Sequence, residues 1–194
     1  MADAGRVIAG SARGVRLAAP GDVTRPLGDR VKQTLFAILE PRLEGAVVAD
    51  LFAGSGAGGI EALSRGAARA VLVEKDAGAC RTITENLRRT RLEDRARVVR
   101  RDVAAWLSDP DAAAPAGPFD LVLADPPYAD TDALVRTLEL VAPHLADGGV
   151  VVAKHFWRDA PPPRVGMLAA TRHRRFGETA LTLYERASEE ADEA

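Results

Sequence analysis

The chain has 194 residues, 47% of them hydrophobic and 28% charged, enough for one compact domain with its own core. Its formal net charge of −2 gives no overall attraction to a polyanion, and the single cysteine, Cys80, excludes an intramolecular disulfide. No apolar run approaches the roughly 20 residues of a membrane-spanning helix and the N-terminus lacks a secretory pattern, so a cytoplasmic location is expected.

In chain order, residues 6–18 carry two short apolar and β-branched runs around a Gly/Ser/Arg turn, which predicts a β-hairpin. From Asp29 to Glu40, Val31, Leu35, Phe36, Ile38 and Leu39 recur at helical spacing, with Asp29 as the expected N-cap and Pro41 as the stop. Strand and helix then alternate. Val47–Leu51, Ala70–Val73, Arg97–Val99, Leu121–Ala124 and Gly149–Ala153 read as strands. Gly58–Arg65, a segment capped by Asp76 with Cys80, Ile83 and Leu87 on one face, and a segment marked by Leu134, Leu138, Val141 and Leu145 read as helices. Residues 109–118 read as a loop. After three prolines at 161–163, residues 166–171 and 179–185 read as two strands joined by the polar segment 172–178.

Such alternation predicts an α/β fold with helices on both faces of a mostly parallel sheet. The expected architecture is a Rossmann-like, seven-stranded sheet ending in an antiparallel hairpin, preceded by a small hairpin and helix. Residues 1–45 form the extension, 46–186 the main domain and 187–194 an acidic tail expected to be disordered. Four acids lie in the last six residues, and residues 1–42 hold seven Arg/Lys against four Asp/Glu. His144, His155 and His173 are scattered without metal-ligand spacing, so no metal site is expected.

Two clusters carry chemistry. Asp50-Leu51-Phe52-Ala53-Gly54-Ser55-Gly56 ends a strand and opens a helix, at the sheet edge where ligands of open α/β sheets bind. Its glycines do not follow the three-glycine spacing of a dinucleotide site. Glu74, with Lys75, follows the second strand and suits a ribose. Asp102, with Val103, follows the third strand and suits an adenine amine, and Asp50 suits an ammonium. Acids in this order fit S-adenosyl-L-methionine, a cation without phosphate. The cofactor-binding set is therefore Asp50, Phe52, Ala53, Gly54, Ser55, Gly56, Glu74, Lys75, Asp102 and Val103.

The second cluster, Asp125-Pro126-Pro127-Tyr128, follows the fourth strand. Two prolines stiffen the turn, so the Asp125 carboxylate and the Pro126 carbonyl converge as two acceptors. Two acceptors suit an NH₂ group with two donors, and Tyr128 offers a flat face to an extruded base. The turn alone leaves open methylation of adenine or cytosine in DNA or RNA and methylation of a protein glutamine; it argues against the rival from another class, a non-catalytic RNA-binding module.

Residues 50–56, Glu74 and 125–128 resemble the amino-group methyltransferases of the Rossmann-like class. Arg6-Val7-Ile8-Ala9-Gly10, Arg13-Gly14, Arg25-Pro26, Asp29-Arg30-Val31, Glu61 to Ala67 and Phe176-Gly177-Glu178-Thr179 are similar to signatures of the RsmD family of 16S ribosomal RNA guanine N2-methyltransferases. The resemblance implies S-adenosylmethionine as cofactor, methylation of a guanine N2 amine, and 16S rRNA or a small-subunit assembly intermediate as partner of a monomeric enzyme. It makes Arg13, Arg25 and Arg30 RNA-facing candidates. The chain departs from the family pattern at Leu27-Gly28 and at Ala153-Lys154-His155, where the family often carries a glutamate.

Overall fold

The structure is a computed structural model that describes residues 3–21, 28–127 and 130–187. Arg25, Tyr128 and the acidic tail from residue 188 onward lie outside the described residues. The chain divides into two compact units, one running to Val103 and one starting at Ala104.

The first unit opens with an antiparallel pair, β1 (Asp3–Arg6) and β2 (Arg16–Ala18), with Arg6 opposite Arg16. Helix α1 (Asp29–Leu39) buries Leu35, Phe36 and Leu39. The N-cap is Gly28, not Asp29 as expected: the Asp29 carboxylate pairs with Arg6 Nε at 3.3 Å and makes no cap bond. Pro41 sits in a single 3-10 turn, Glu40–Arg42. Then come β3 (Val47–Leu51), α2 (Ala57–Ser64), β4 (Arg69–Glu74), α3 (Ala77–Thr90) and β5 (Ala96–Arg100). The three strands are parallel in the order β5-β4-β3. Val48–Leu51 and Ala70–Val73 are buried at every residue, the signature of parallel strands covered on both faces. Asp76 caps α3 as expected, its Oδ1 accepting from Ala79 N at 2.7 Å.

Helix α4 (Val103–Leu107), which buries Trp106, was not foreseen. In the second unit residues 109–118 are not a plain loop. Asp109 caps a short helix, α5 (Pro110–Ala113), with Pro110 at its first position, and a 3-10 turn (Ala114–Ala116) follows. Then follow β6 (Phe119–Ala124), α6 (Thr131–Val141), β7 (Leu145–Phe156), β8 (Arg164–Val165), β9 (Leu168–Phe176) and β10 (Thr179–Arg186). Leu145, expected on the helix, starts β7, because Pro143 lies in the 3-10 turn between them. The order is β6-β7-β10-β9-β8, with β6 and β7 parallel and the rest antiparallel.

The α/β class and the final antiparallel hairpin are as expected. Apart from the β1–β2 pair, three described strands in the first unit and five in the second make one more than seven, the extra being the two-residue β8. The segment expected to link the last two strands is itself strand up to Phe176, leaving only Gly177 and Glu178 as the turn. Tyr184 is fully buried and its hydroxyl donates to the Pro162 carbonyl at 2.7 Å, which fixes the proline run against β10. Burial pushes the Tyr184 phenol up to about 12. No helix among the described residues is long and apolar enough to cross a membrane.

Candidate active site

In the first unit, β3 delivers its C-terminal end into a loop of unusual backbone. Phe52 has φ of 60°, Gly54 of 55° and Gly56 of 77°. A non-glycine residue in the left-handed region is uncommon and here must be held by its surroundings. The Ala53 N–H donates to Val73 O at 3.1 Å and the Gly56 N–H to Ala53 O at 2.7 Å. Glu74, at the end of β4, completes the clamp: its Oε2 accepts from Gly54 N and its Oε1 from Asp76 N, both at 2.9 Å.

The glycines have different duties. A Cβ on Gly56 would lie 3.1 Å from Leu72 Cδ2, and one on Gly59 3.0 Å from the same atom, so both serve the packing of α2 on β4. A Cβ on Gly54 would meet nothing closer than Phe52 O at 3.9 Å, so its backbone has room for a ligand. Asp50 is buried, and its Oδ2 accepts from Gly59 N at 2.7 Å in the first turn of α2. Ser55 and Val103 are buried, while Lys75 and Asp102 are exposed. Cys80 donates to the Glu74 carbonyl at 3.4 Å, and burial followed by the Glu74 charge pushes its thiol up, which makes it a poor nucleophile.

The carbonyl of Ser55 is held by Asn86, a residue that sequence reasoning passed over. Asn86 is completely buried on α3 and uses its whole amide: Nδ2 donates to Ser55 O and Ala18 O, both at 2.9 Å, and Oδ1 accepts from Ala18 N at 2.8 Å. The available signal was its position beside Ile83 and Leu87, on a helix where asparagine has poor propensity.

In the second unit, Asp125 follows β6 directly, with Pro126 buried and Pro127 exposed. Its carboxylate meets a partner that the sequence did not announce. Lys154 Nζ lies 2.7 Å from Oδ1 and 2.8 Å from Oδ2. The parallel register Ala124↔Ala153 makes Asp125 and Lys154 successors of paired residues. The Lys154 side chain is 10% exposed and that of Asp125 28%. Burial pushes the Asp125 carboxyl up, and the charge and hydrogen bond of Lys154 pull it back down.

A sequence family described as Conserved hypothetical protein 95 matches residues 5–185. Ribosomal RNA small subunit methyltransferase D of Escherichia coli strain K12 is 34% identical over 192 residues, spanning 97% of this chain and 93% of the relative. A solved Escherichia coli structure superposes with a TM-score of 0.81 at 34% identity, covering 93% of this chain and 97% of the other. A hypothetical protein of Thermus thermophilus gives 0.78 at 41% identity, covering 92% and 97%. The chain belongs to the RsmD family.

Two of the stretches that carry the RsmD resemblance are partners within the first unit. Ile8 N and Ala9 N donate to Glu61 Oε2 and Oε1 at 2.8 and 3.1 Å. Ser64 Oγ donates to Ala9 O at 2.6 Å and accepts from Ala12 N at 3.0 Å, while Ser11 N donates to Ser64 O at 2.8 Å. A Cβ on Gly10 would fall 1.7 Å from that same Ser64 carbonyl oxygen. Buried Glu61 also pairs with Arg65 Nε at 2.8 Å, and buried Lys32 donates to Arg6 O at 2.5 Å. Burial pulls the Lys32 ammonium down, with Glu61 the chief opposing charge. Much of this N-terminal signature thus docks the extension onto α2. Arg13 and Arg30 are exposed. No metal-binding group is present among the described residues.

Proposed function

We propose that this chain methylates the exocyclic N2 amine of a guanine in 16S ribosomal RNA, using S-adenosylmethionine. The observation that carries the reading is the Asp125-Pro126-Pro127 turn at the end of β6, with its part-buried carboxylate, in a chain of the RsmD family. The name of the Escherichia coli relative supports small-subunit rRNA as substrate. The first unit fits the cofactor: Gly54 leaves room at the backbone, and the Glu74 carboxylate stands at the rim of the same loop. Phe52 to Gly56, Asp50, Glu74, Lys75, Asp102 and Val103 would hold it. When bound it supplies an electrophilic methyl carbon on a sulfonium.

The residues of the second unit act on the amine. A guanine N2 lone pair is delocalised into the ring, and acceptance of its two N–H bonds by Asp125 and the Pro126 carbonyl raises electron density on nitrogen and fixes its direction. After the N–C bond forms, nitrogen carries one proton too many, and an Asp125 oxygen or water takes it. Lys154 opposes the burial that raises the Asp125 carboxyl and orients it between turnovers. Tyr128, outside the described residues, is the aromatic side chain on which an extruded base would stack.

The test is methyl incorporation from labelled cofactor into small subunits or 16S rRNA lacking the modification, followed by nucleoside mass spectrometry. N2-methylguanosine is the expected product. Methyladenosine or methylcytidine would redirect the specificity, and no incorporation would overturn the reading. Asp125→Ala should cut turnover by roughly 10²-fold or more while cofactor affinity is retained.

A further inference from the structure

We infer that strand β9, with the Trp157 corner beside it, is a phosphate-gripping surface for the RNA substrate. This rests on the rRNA methyltransferase reading. Residues 170–175 of β9 are all exposed, including Arg172, His173, Arg174 and Arg175. Along one edge β9 pairs with β10 over its whole length; along the other, β8 reaches only Leu168 and Ala169. From residue 171 onward the outer edge faces no strand among the described residues.

Positive charge is concentrated there. Residues 157–178 contain five arginines against Asp159 and Glu178, in a chain whose net charge is −2. Arg172, Arg174 and Arg175 form no ion pair among the described residues; Arg174 and Arg175 donate to the backbone carbonyls of His173 and Gly177. The register is regular from Arg172↔Leu183 to Arg175↔Ala180. Strand alternation therefore puts Arg172 and Arg174 on one face, about 7 Å apart along the strand, a spacing suited to neighbouring phosphates.

The opposite face of the strand, which carries His173 and Arg175, is ordered in advance. Arg175 Cζ lies 3.6 Å and Arg158 Cζ 4.8 Å from the centroid of the half-buried Trp157 ring. Trp157 N donates to Glu178 O at 3.0 Å, tying this corner to the β9–β10 turn. Thr182 Oγ1 joins His155 Nε2 at 2.9 Å and His173 Nδ1 at 3.0 Å, which links β7, β10 and β9. A guanidinium held on an aromatic face loses little freedom when it binds a phosphate, and its planar fork matches phosphate oxygens. Charges on an edge strand can also serve to block strand addition. That role predicts aggregation when they are removed, with unchanged RNA affinity.

The experiment uses the full chain and unmodified 16S rRNA transcript. Arg172→Ala/Arg174→Ala leaves the Trp157 corner intact; Arg172→Ala/Arg174→Ala/Arg175→Ala removes all three. RNA affinity is measured across a salt series, with kcat and KM for methylation, and cofactor affinity by calorimetry as a check of folding. For every phosphate that an arginine no longer neutralises, the slope of log K against log salt falls by about 0.7 to 0.9. The double variant should lose about 1.5 in slope and bind roughly ten-fold more weakly, with the effect appearing in KM. Unchanged slope and KM would overturn the inference, as would displacement of RNA from these arginines by polyglutamate as readily as by unlabelled RNA. If wild-type chain binds RNA through these arginines yet incorporates no methyl group, the surface stands and the methyltransferase reading falls. If methylation proceeds with the same KM in the variants, the reading stands and the surface falls.

Discussion

Lys154 and Asp125 offer the sharpest test of how the catalytic turn is held. Lys154→Met keeps the aliphatic length and removes the ammonium. The pair is separated by 2.7 Å at its shortest, with one side chain 10% and the other 28% exposed. Exposed pairs contribute about 0 to 1 kcal/mol, whereas stranding one partner of a fully buried pair costs about 3 to 5 kcal/mol. With the lysine buried and the carboxylate partly wet, about 2 kcal/mol is the expected destabilisation. It has a defined pH dependence. Burial already raises the Asp125 carboxyl, and Lys154 is what pulls it down, so in the variant it rises further. A carboxyl raised in the folded state favours folding below its unfolded pKa, and that contribution disappears as pH rises through the folded value. The deficit of Lys154→Met against wild type should therefore be greater at about pH 8 than at about pH 5.

The measurement is denaturant unfolding of wild type, Lys154→Met, Asp125→Asn and the double variant at both pH values. A coupling energy of about 2 kcal/mol at the higher pH is expected, since the double variant strands neither charge. Coupling below about 0.5 kcal/mol, the scatter of independent sites, would refute the argument, and so would a deficit that grows on acidification. Lys154→Glu should abolish the favourable coupling and set two carboxylates against each other.

Glu74→Ala removes a charged acceptor for Gly54 N and Asp76 N, so binding of S-adenosylhomocysteine, read by calorimetry, should weaken roughly 10- to 100-fold; unchanged affinity would exclude Glu74 from the site. Gly10→Ala, at φ of 81° and driven against the Ser64 carbonyl, should cost about 3 kcal/mol in unfolding measurements. Gly14→Ala, at φ of 85° with nothing within 4 Å, should cost only about 1 kcal/mol, and equal costs at the two positions would refute the docking argument. Burial lowers the His155 pKa, so the unfolded chain takes up a proton near its ordinary value of 6.5 while the folded chain does not. Stability should fall as pH drops below about 6.5, by at most about 1.4 kcal/mol per pH unit, and His155→Gln should flatten that limb.

What the sequence disclosed follows from where each element buries its side chains. Strands β3, β4 and β6 sit inside, so their apolar runs announced them almost to the residue. Strand β9 exposes residues 170–175, which removes the alternation that marks a half-buried strand and left a polar link as the natural reading. Asp76 was legible as a cap because its carboxylate has local work, whereas Asp29 is drawn off by Arg6, 23 positions away. The same distinction runs through the site. Asp125 was readable because its constraint is local, two prolines in the next two positions. Lys154 is 29 residues away and meets it only through the parallel register of β6 and β7, so nothing local to either residue could pair them. The N-terminal signature shows the converse hazard. Its arginines suggested RNA, yet Ile8 to Ala12 are bound up with Glu61 and Ser64 of α2, while the arginines of β9 lay in a stretch that had looked like a connector. A motif shared across a family constrains the chain somewhere, and only the hydrogen-bond partners say whether that constraint is folding or recognition.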